Sequence, residues 1–363
     1  MENSKYERNT AYLPSYTFGG DEAYDSVPTV LGEGVKKVCI IGGKTALSKV
    51  TPVLLPILEK AGIIVTDTIV YGTECFFDNG KRIAELAAVK EADVLFAVGG
   101  GKAIDTVKLV SYDLGDKAYY TFPTVASTCA ATSKVAAVYT EEHAFVSAFD
   151  EMRTPAKHCF INARILVEAP VPFVWAGMGD TIAKHYEPAF SARGRELTFE
   201  VQLGVAMSVM CADPILEHCK GAMEAATAKT RNHAFDQVCM AVIFTTGLVS
   251  NFLVQAYNSN LAHAFAYGLV MHEHLEKNHL HGEMVSYGVL LLLTVDKQLE
   301  ARAKWLDAYK AIKLPTKLAD LELTKDDLDI VLDKALAVPD TETSPYVITR
   351  EMIIDAINEL EAL

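Results

Sequence analysis

The sequence predicts an α/β domain with a doubly wound, mainly parallel sheet, followed by a domain built of helices. Short apolar runs alternate with helical patterns in the first part of the chain, as is typical of parallel sheets covered by helices. Three consecutive glycines join one of these runs to a helical pattern, and strand signals thin out after Pro170. We therefore expect an α/β domain at residues 1–165 and an all-α domain at residues 166–363.

Each element of the α/β domain has its own signal. Aromatic residues that end in Gly-Gly indicate an edge strand at 10–19. Further apolar runs predict strands at 37–41, 63–71 and 118–122 and a strand-turn-helix unit at 93–108, with helices at 46–60 and 80–90. Because proline has no backbone N–H, helix 46–60 should start at Pro52 or kink at Pro56.

The pattern changes after residue 133. Two β-branched and aromatic runs, 135–140 and 144–149, are joined by the polar Glu141-Glu142-His143 and predict a hairpin. Long apolar periodicities such as 201–211 and 235–254 predict helices in the second half.

The glycine turn lies in the strand-turn-helix unit. Gly99, Gly100 and Gly101 have no Cβ, so the backbone can take positive φ and approach a ligand, while the next helix directs free N–H groups outward. This arrangement predicts an anion site, most simply for pyrophosphate. Asp105 and Lys108 can face one side of that helix, where they either belong to the site or form a solvated ion pair.

Composition narrows the class of partner. With 33 basic and 47 acidic residues the net charge is −14, which argues against a nucleic-acid or anionic-membrane surface and favours small molecules. We find neither a signal-peptide pattern nor an uninterrupted apolar span, so a cytoplasmic protein is expected. The seven cysteines form no C-x-x-C motif, so the sequence predicts neither a disulfide framework nor a metal site made of thiolates.

Histidines are crowded near residue 270. Five of the ten lie between His263 and His281, and neutral imidazole is the commonest nitrogen ligand of a divalent metal. The best candidate for an accompanying carboxylate is Asp180, which follows two glycines in Gly177-Met-Gly-Asp180. For any one of these histidines, a hydrogen-bonded structural role is the alternative.

Four segments together carry a family resemblance. They are Gly99-Gly-Gly-Lys-Ala-Ile-Asp-Thr-Val-Lys108, Pro123-Thr-Val-Ala-Ser-Thr128, Gly177-Met-Gly-Asp180 and His281-Gly-Glu-Met-Val-Ser-Tyr-Gly288. In order and spacing they resemble the iron-containing alcohol dehydrogenase superfamily, in its glycerol dehydrogenase-like branch. The resemblance implies a Rossmann-like first domain in a dehydroquinate synthase-like architecture, a homo-oligomer, and NAD as the cofactor, with NADP as the alternative.

The resemblance also implies roles for individual residues. Asp180, His263 and His281 would be the metal ligands at the catalytic centre, and His279 could relay the released proton. The positions that match the cofactor site are Gly43, Gly99, Gly100, Gly101, Lys102, Asp105, Thr124, Thr128, Ser133, Val135 and Tyr139.

Two positions depart from the family pattern. Lys184 stands where iron-type members have a further histidine ligand, so the resemblance favours zinc with three ligands over iron with four. Cys129 stands where glycerol dehydrogenases have an aspartate beside the polyol, and its segment more closely resembles hydroxycarboxylate dehydrogenases. A neutral residue here removes repulsion of a substrate carboxylate, for which Lys184 is the nearest candidate cation by sequence unless it faces solvent.

The expected function is metal-dependent, NAD(P)-linked interconversion of a small secondary alcohol, either a 2-hydroxy acid or a polyol, and its carbonyl form, with 2-oxo acids favoured. Three alternatives stay open: glycerol dehydrogenase proper, a dehydroquinate synthase-like enzyme, and a non-catalytic NAD-binding protein. The second needs cations for a phosphorylated substrate. The segments 176–188 and 262–288 offer only Lys184 and Lys277.

Overall fold

The computed structural model describes residues 13–141, 145–151 and 154–363. These residues form two compact units. The α/β unit contains the described residues up to Thr124 together with Ala130–Asn162, and the helical unit contains Val125–Cys129 together with Ala163–Leu363. The loop 125–129 is thus grouped with the helices that follow it much later in the chain.

The α/β unit contains eight described strands: β1 (Ser15–Gly19), β2 (Lys37–Gly42), β3 (Ile64–Val70), β4 (Val94–Gly99), β5 (Tyr119–Pro123), β6 (Ala136–Tyr139), β7 (Phe145–Phe149) and β8 (His158–Asn162). Six of them form one parallel sheet in the order β1-β8-β5-β4-β2-β3. Every residue of β4, β5 and β8 is buried, as expected for inner strands that are covered on both faces. The predicted parallel sheet is confirmed.

The other two strands, β6 and β7, pair antiparallel as the predicted hairpin. Residues 142–144 lie outside the described residues, and they comprise two residues of the predicted connection and the first residue of the second predicted run. Strand β8 was missed by the sequence analysis. It has three apolar residues between His158 and Asn162, and the His158 ring is satisfied only by distant partners, the hydroxyl groups of Ser15 and Thr17 on β1.

Five α-helices belong to this unit: α1 (Val27–Leu31), α2 (Lys44–Lys60), α3 (Phe77–Ala84), α4 (Ala87–Glu91) and α5 (Gly101–Asp113). The expected start of α2 at Pro52 is wrong, because the helix begins at Lys44 and includes both prolines. Pro52 and Pro56 are exposed, so the carbonyl groups that they leave without helical partners can be solvated. The single helix expected at 80–90 is also wrong: Leu86 has extended backbone and separates α3 from α4.

In the helical unit, all secondary structure of the described residues is helical, as predicted. Its α-helices are α6 (Ala163–Glu168), α7 (Val171–Ser191), α8 (Phe199–Met207), α9 (Val209–Ala228), α10 (His233–Met240), α11 (Thr246–Phe252), α12 (Gln255–Asn258), α13 (Leu261–Leu269), α14 (Glu273–Asn278), α15 (His281–Val295), α16 (Leu299–Ile312), α17 (Leu328–Ala337) and α18 (Arg350–Glu361). A π-helical turn, Ala241–Thr245, connects α10 to α11.

Two helical stretches, Phe199–Ala228 and His233–Phe252, are long and apolar enough to cross a membrane by length and composition. They include or overlap the apolar periodicities at 201–211 and 235–254, which were predicted to be helices of the second half of the chain. They are weak evidence for a span, because helices that are buried in a folded core pass the same test, and a substantial share of each stretch is buried within the chain.

Helices α7 and α15 touch through their backbones. A Cβ on Gly282 of α15 would overlap the carbonyl oxygen of Ala176, and a Cβ on Gly179 of α7 would overlap the carbonyl oxygen of Gly282. Further along α15, a Cβ on Gly288 would overlap the carbonyl oxygen of Ala262 on α13. Glycine is therefore required where α15 crosses its two neighbours.

We predict that Gly282→Ala lowers the free energy of unfolding by about 1–3 kcal/mol, because the added methyl group cannot be accommodated without moving backbone. Urea denaturation measures the change. Gly34→Ala is the control, since no heavy atom lies within 4 Å of the Cβ position of Gly34. Equal stability of the two variants would contradict the prediction.

Candidate functional site

Three helices of the helical unit bring together the predicted metal ligands. Asp180 lies on α7, His263 on α13, and His281 is the first residue of α15. The Nε2 atoms of His263 and His281 lie 3.4 and 3.8 Å from Oδ1 of Asp180. One donor atom from each residue lies within 4.8 Å of the other two, which is compact enough for all three to contact a single ion.

The electrostatics of this cluster favour a positive charge between the donors. Burial by itself would raise the pKa of Asp180, but the hydrogen bond with His263 and the charges of His281 and Lys184 lower it to about 2. Burial by itself would lower the pKa of His263, but Glu187 and Asp180 raise it to about 10. The proton on His263 supplies positive charge beside the ionised Asp180, and a divalent cation bound between the donors would supply that charge instead.

Glu187 determines which nitrogen of His263 is available to a metal. Its Oε2 lies 2.5 Å from Nδ1 of His263, and its Oε1 accepts the backbone N–H groups of Asn260 at 2.7 Å and of His263 at 2.9 Å. With Nδ1–H donating to this carboxylate, Nε2 can present its lone pair toward Asp180. The sequence analysis missed Glu187, although it lies two turns after Asp180 on the same face of α7.

This donor set suits a divalent cation. One carboxylate and two imidazoles are a common set for zinc, and three protein ligands leave a coordination position for substrate. The His281 side chain is half exposed, which leaves the cluster open on one side, while Glu187 is fully buried behind His263.

The glycine turn lies in the α/β unit at the carboxyl end of β4. Gly99 ends that strand with φ +149°, whereas Gly100 has φ −87° at the start of α5. Of the three glycines, for which the sequence allows positive φ, only Gly99 adopts it. Gly101 is the first residue of α5, so this turn and helix still direct N–H groups to one point.

Residues from the neighbouring strands meet the same turn. The N–H of Gly43, after β2, donates to the carbonyl oxygen of Val98, and the N–H of Thr124, after β5, donates to the carbonyl oxygen of Gly99. The carboxyl ends of β2, β4 and β5 thus place Gly43, Gly99 and Thr124 side by side. In a parallel sheet this is the edge where ligands bind.

Lys102 follows the turn and has a fixed position. Its Nζ lies 2.5 Å from Oε2 of the buried Glu74 and 5.2 Å from the centre of the Tyr139 ring. The Lys102 side chain is about half exposed, so the ammonium group remains accessible. Glu74 is a second residue that the sequence analysis missed.

Asp105 and Lys108 do not form a solvated pair. Both are buried, and Nζ of Lys108 lies 2.8 Å from Oδ1 of Asp105. Lys108 also donates to the carbonyl oxygen of Val135 and, at 3.5 Å, to Oγ of Ser133, while the other oxygen of Asp105 accepts the N–H of Ala137. The pair therefore fixes the segment that contains the predicted cofactor residues Ser133 and Val135.

The remaining predicted residues lie in the helical unit. Thr128 and Cys129 belong to the loop 125–129, which contacts α7 where a Cβ on Gly177 would overlap the carbonyl oxygen of Ala126. His279 precedes α15, and its Nδ1 lies 2.9 Å from Oε1 of Glu283. That contact suits a positioning role at least as well as the predicted proton relay.

Comparison with known proteins gives consistent matches. The family model for iron-containing alcohol dehydrogenase matches residues 14–158. Glycerol dehydrogenase of Thermotoga maritima is 29% identical over 297 residues, which cover 79% of this chain and 79% of that protein. Hydroxycarboxylate dehydrogenase A of Escherichia coli is 28% identical over 339 residues, which cover 91% of each chain. The crystal structure of a probable glycerol dehydrogenase from Sinorhizobium meliloti is 25% identical and superimposes with a TM-score of 0.80 over 96% of this chain and 97% of that chain.

We predict that Glu187→Gln weakens zinc binding about 10- to 100-fold. The amide can still accept the two backbone N–H groups, but its NH₂ would face Nδ1 of His263 and force the imidazole proton onto Nε2. Competition with a chromophoric chelator measures the affinity. Glu283→Gln is the matched control, because Glu283 contacts His279 instead of a candidate ligand. Unchanged zinc affinity in Glu187→Gln would show that this carboxylate does not set the tautomer.

Proposed function

We propose that the chain belongs to the iron-containing alcohol dehydrogenase superfamily and that it is a metal-dependent, NAD(P)-linked oxidoreductase that interconverts a small secondary alcohol and its carbonyl form. The observation that carries the proposal is the cluster of Asp180, His263 and His281. Relatives named glycerol dehydrogenase and hydroxycarboxylate dehydrogenase support chemistry on CH–OH groups.

The protein's own residues have separable tasks in this proposal. When bound, the metal supplies a Lewis acid at the substrate oxygen, and the nicotinamide ring supplies the donor or acceptor of hydride. Asp180, His263 and His281 hold the metal, and Glu187 keeps Nε2 of His263 unprotonated. The turn at Gly99 and the accessible ammonium group of Lys102 bind the cofactor's pyrophosphate.

Zinc is the metal that we propose. Lys184 replaces the fourth ligand of iron-type members, and its Nζ donates to Asn258, so it presents no lone pair. The neighbouring His185 does not substitute for it, because its Nδ1 lies 2.9 Å from the hydroxyl group of Ser208. A three-ligand zinc site fits these contacts better than a four-ligand iron site.

The substrate that we propose is a small 2-oxo acid and the corresponding 2-hydroxy acid. The neutral Cys129, in the position of a polyol-binding aspartate, supports this choice. The second candidate is glycerol dehydrogenase, which the names of several relatives favour. A phosphorylated substrate is disfavoured because it needs several cations near the metal. Of the two lysines in the segments 176–188 and 262–288, Lys277 is exposed and paired with Glu273, so Lys184 alone remains.

We include NAD, a cytoplasmic location and a homo-oligomer in the proposal, with neither nucleic acid nor a membrane as partner. The family resemblance favours NAD. The segment Gly42-Gly43-Lys44 at the end of β2 points the other way, because it has no acid to bind a ribose 2′-hydroxyl group and Lys44 would tolerate a 2′-phosphate, so NADP is the alternative.

Chelation should abolish NADH-dependent reduction, and Zn²⁺ should restore it. His281→Ala should be inactive while it retains NADH binding, because the glycine turn is elsewhere in the chain. Activity assays, elemental analysis and NADH fluorescence titration test this. His274→Ala, which changes an exposed histidine, is the control. Full turnover by verified metal-free protein would refute the proposal, and loss of NADH binding in His281→Ala would assign that residue a structural role.

Cys129→Asp should shift the preference from 2-oxo acids toward polyols and their ketones, because an aspartate near the metal repels a substrate carboxylate. Comparison of kcat/KM for 2-oxobutyrate, glycerol and dihydroxyacetone measures the shift. Cys129→Asn separates charge from shape, and it should keep the preference for 2-oxobutyrate. A preference of the unmodified protein for glycerol would refute the 2-oxo acid assignment and leave the metal-dependent chemistry standing.

A further inference from the structure

We propose that Lys184, held in place by Asn258, binds the carboxylate of the substrate and thereby selects 2-oxo acids over neutral carbonyl compounds. This inference rests on the proposed function, and it assigns the recognition of substrate charge to one side chain. No carboxylate lies within 4 Å of Nζ of Lys184 in the described part of the chain, although the residue is partly buried.

The position of Lys184 is set by α7. It lies four residues after Asp180, one helical turn away, so both side chains project from the same face. The positive charge of Lys184 contributes to the lowered pKa of Asp180. Burial raises the pKa of the Cys211 thiol, and Lys184 works against this rise while Cys129 adds to it. Lys184 is therefore close to the candidate metal ligands and to the side of α7 that the loop 125–129 contacts.

Asn258 holds the ammonium group through neutral oxygen atoms. Nζ of Lys184 donates to the backbone oxygen of Asn258 at 2.7 Å and to its Oδ1 at 3.3 Å. Asn258 is itself buried, and its Nδ2 donates to the carbonyl oxygens of Ser250 and Leu253. These bonds fix the amide so that Oδ1 faces the lysine. Two of the three N–H groups of the lysine are then engaged, and the third remains for an anion.

Lys184 differs from the lysines of α5 and α14, which are paired with carboxylates, although Lys117 and Lys317 also donate to backbone carbonyl oxygens. Lys102 is paired with Glu74, Lys108 with Asp105, and Lys277 with Glu273. A partly buried ammonium group that donates its hydrogen bonds to neutral oxygens has no carboxylate in direct contact, so it can form an ion pair with a ligand. Asn258 thus positions a cation without neutralising it.

The chemistry of a 2-oxo acid matches this cation. Its carboxyl carbon is bonded directly to the carbonyl carbon. When the carbonyl oxygen lies at the cluster of Asp180, His263 and His281, the carboxylate is therefore attached to the reacting carbon and lies beside the cluster. Dihydroxyacetone and glycerol have a neutral hydroxymethyl group at that place. They would gain a hydrogen bond from Lys184 but no charge pairing.

The test compares 2-oxobutyrate with 1-hydroxy-2-butanone, in which a hydroxymethyl group replaces the carboxylate, in the zinc-loaded enzyme with NADH. For Lys184→Met we expect the ratio of kcat/KM for the acid to that for the ketone to fall about 10- to 100-fold, as for the loss of a hydrogen bond to a charged group. The loss should lie mainly in KM for the acid. Lys184→Arg should restore part of the ratio, and Lys277→Met, which removes the same charge from an exposed lysine, should not change it.

A binding measurement complements the kinetics. Calorimetric titration of the zinc- and NADH-loaded protein with oxamate should show weaker binding in Lys184→Met than in Lys277→Met by a similar factor. An unchanged selectivity ratio together with unchanged oxamate affinity would overturn the proposal and leave Lys184 as a structural tie between α7 and α12.

Two further outcomes are distinguishable from that one. An unmodified protein that reduces neither compound with NADH or NADPH contradicts the proposed function itself. If Lys184→Met does not fold by circular dichroism, Lys184→Arg decides the matter, because its bulkier head group should shift the selectivity ratio if it contacts the carboxylate and leave the ratio unchanged if it does not.

Discussion

The backbone contact between α7 and α15 is the constraint on which the candidate site depends. Gly179 and Gly282 allow the two helices to approach closely. Asp180 follows Gly179 on α7, and His281 precedes Gly282 at the start of α15. Their side chains therefore meet, with Nε2 of His281 3.8 Å from Oδ1 of Asp180. Gly288 makes the corresponding contact toward α13, which carries His263. A Cβ at these crossings would separate the helices, so the glycines beside the ligands are part of the geometry of the site and do not merely allow turns.

A single buried carboxylate then supports the geometry of the candidate metal site. Glu187 joins the start of α13, through two backbone N–H groups, to the imidazole of His263. The same group therefore positions the helix and selects the nitrogen that faces Asp180. The cost of burying Glu187 is offset by three hydrogen bonds, one of them to a group that can carry positive charge.

Motifs that depend on local geometry could be predicted from the sequence. The strand-turn-helix unit at Gly99, the hairpin, the helical second half and the family resemblance all follow from patterns over short stretches, and they are confirmed. Features that depend on distant contacts could not be predicted. Strand β8 is stabilised by its neighbours in the sheet, helix α2 tolerates its prolines because they face solvent, and Asn258 meets Lys184 across 74 residues of chain. Glu187 is intermediate, because its spacing from Asp180 was visible but its partner was not.

The two departures from the family pattern act in the same electrostatic direction. An aspartate replaced by Cys129 removes a negative charge, and a histidine ligand replaced by Lys184 adds a positive one. Each change on its own would have a cost: a neutral residue at 129 gives up a partner for polyol hydroxyl groups, and a lysine at 184 gives up a metal ligand. Relative to the family pattern they would together add about two positive charges, which favours an anionic substrate over a neutral one. We therefore propose that positions 129 and 184 jointly select the charge of the substrate, with Asn258 keeping the lysine in place.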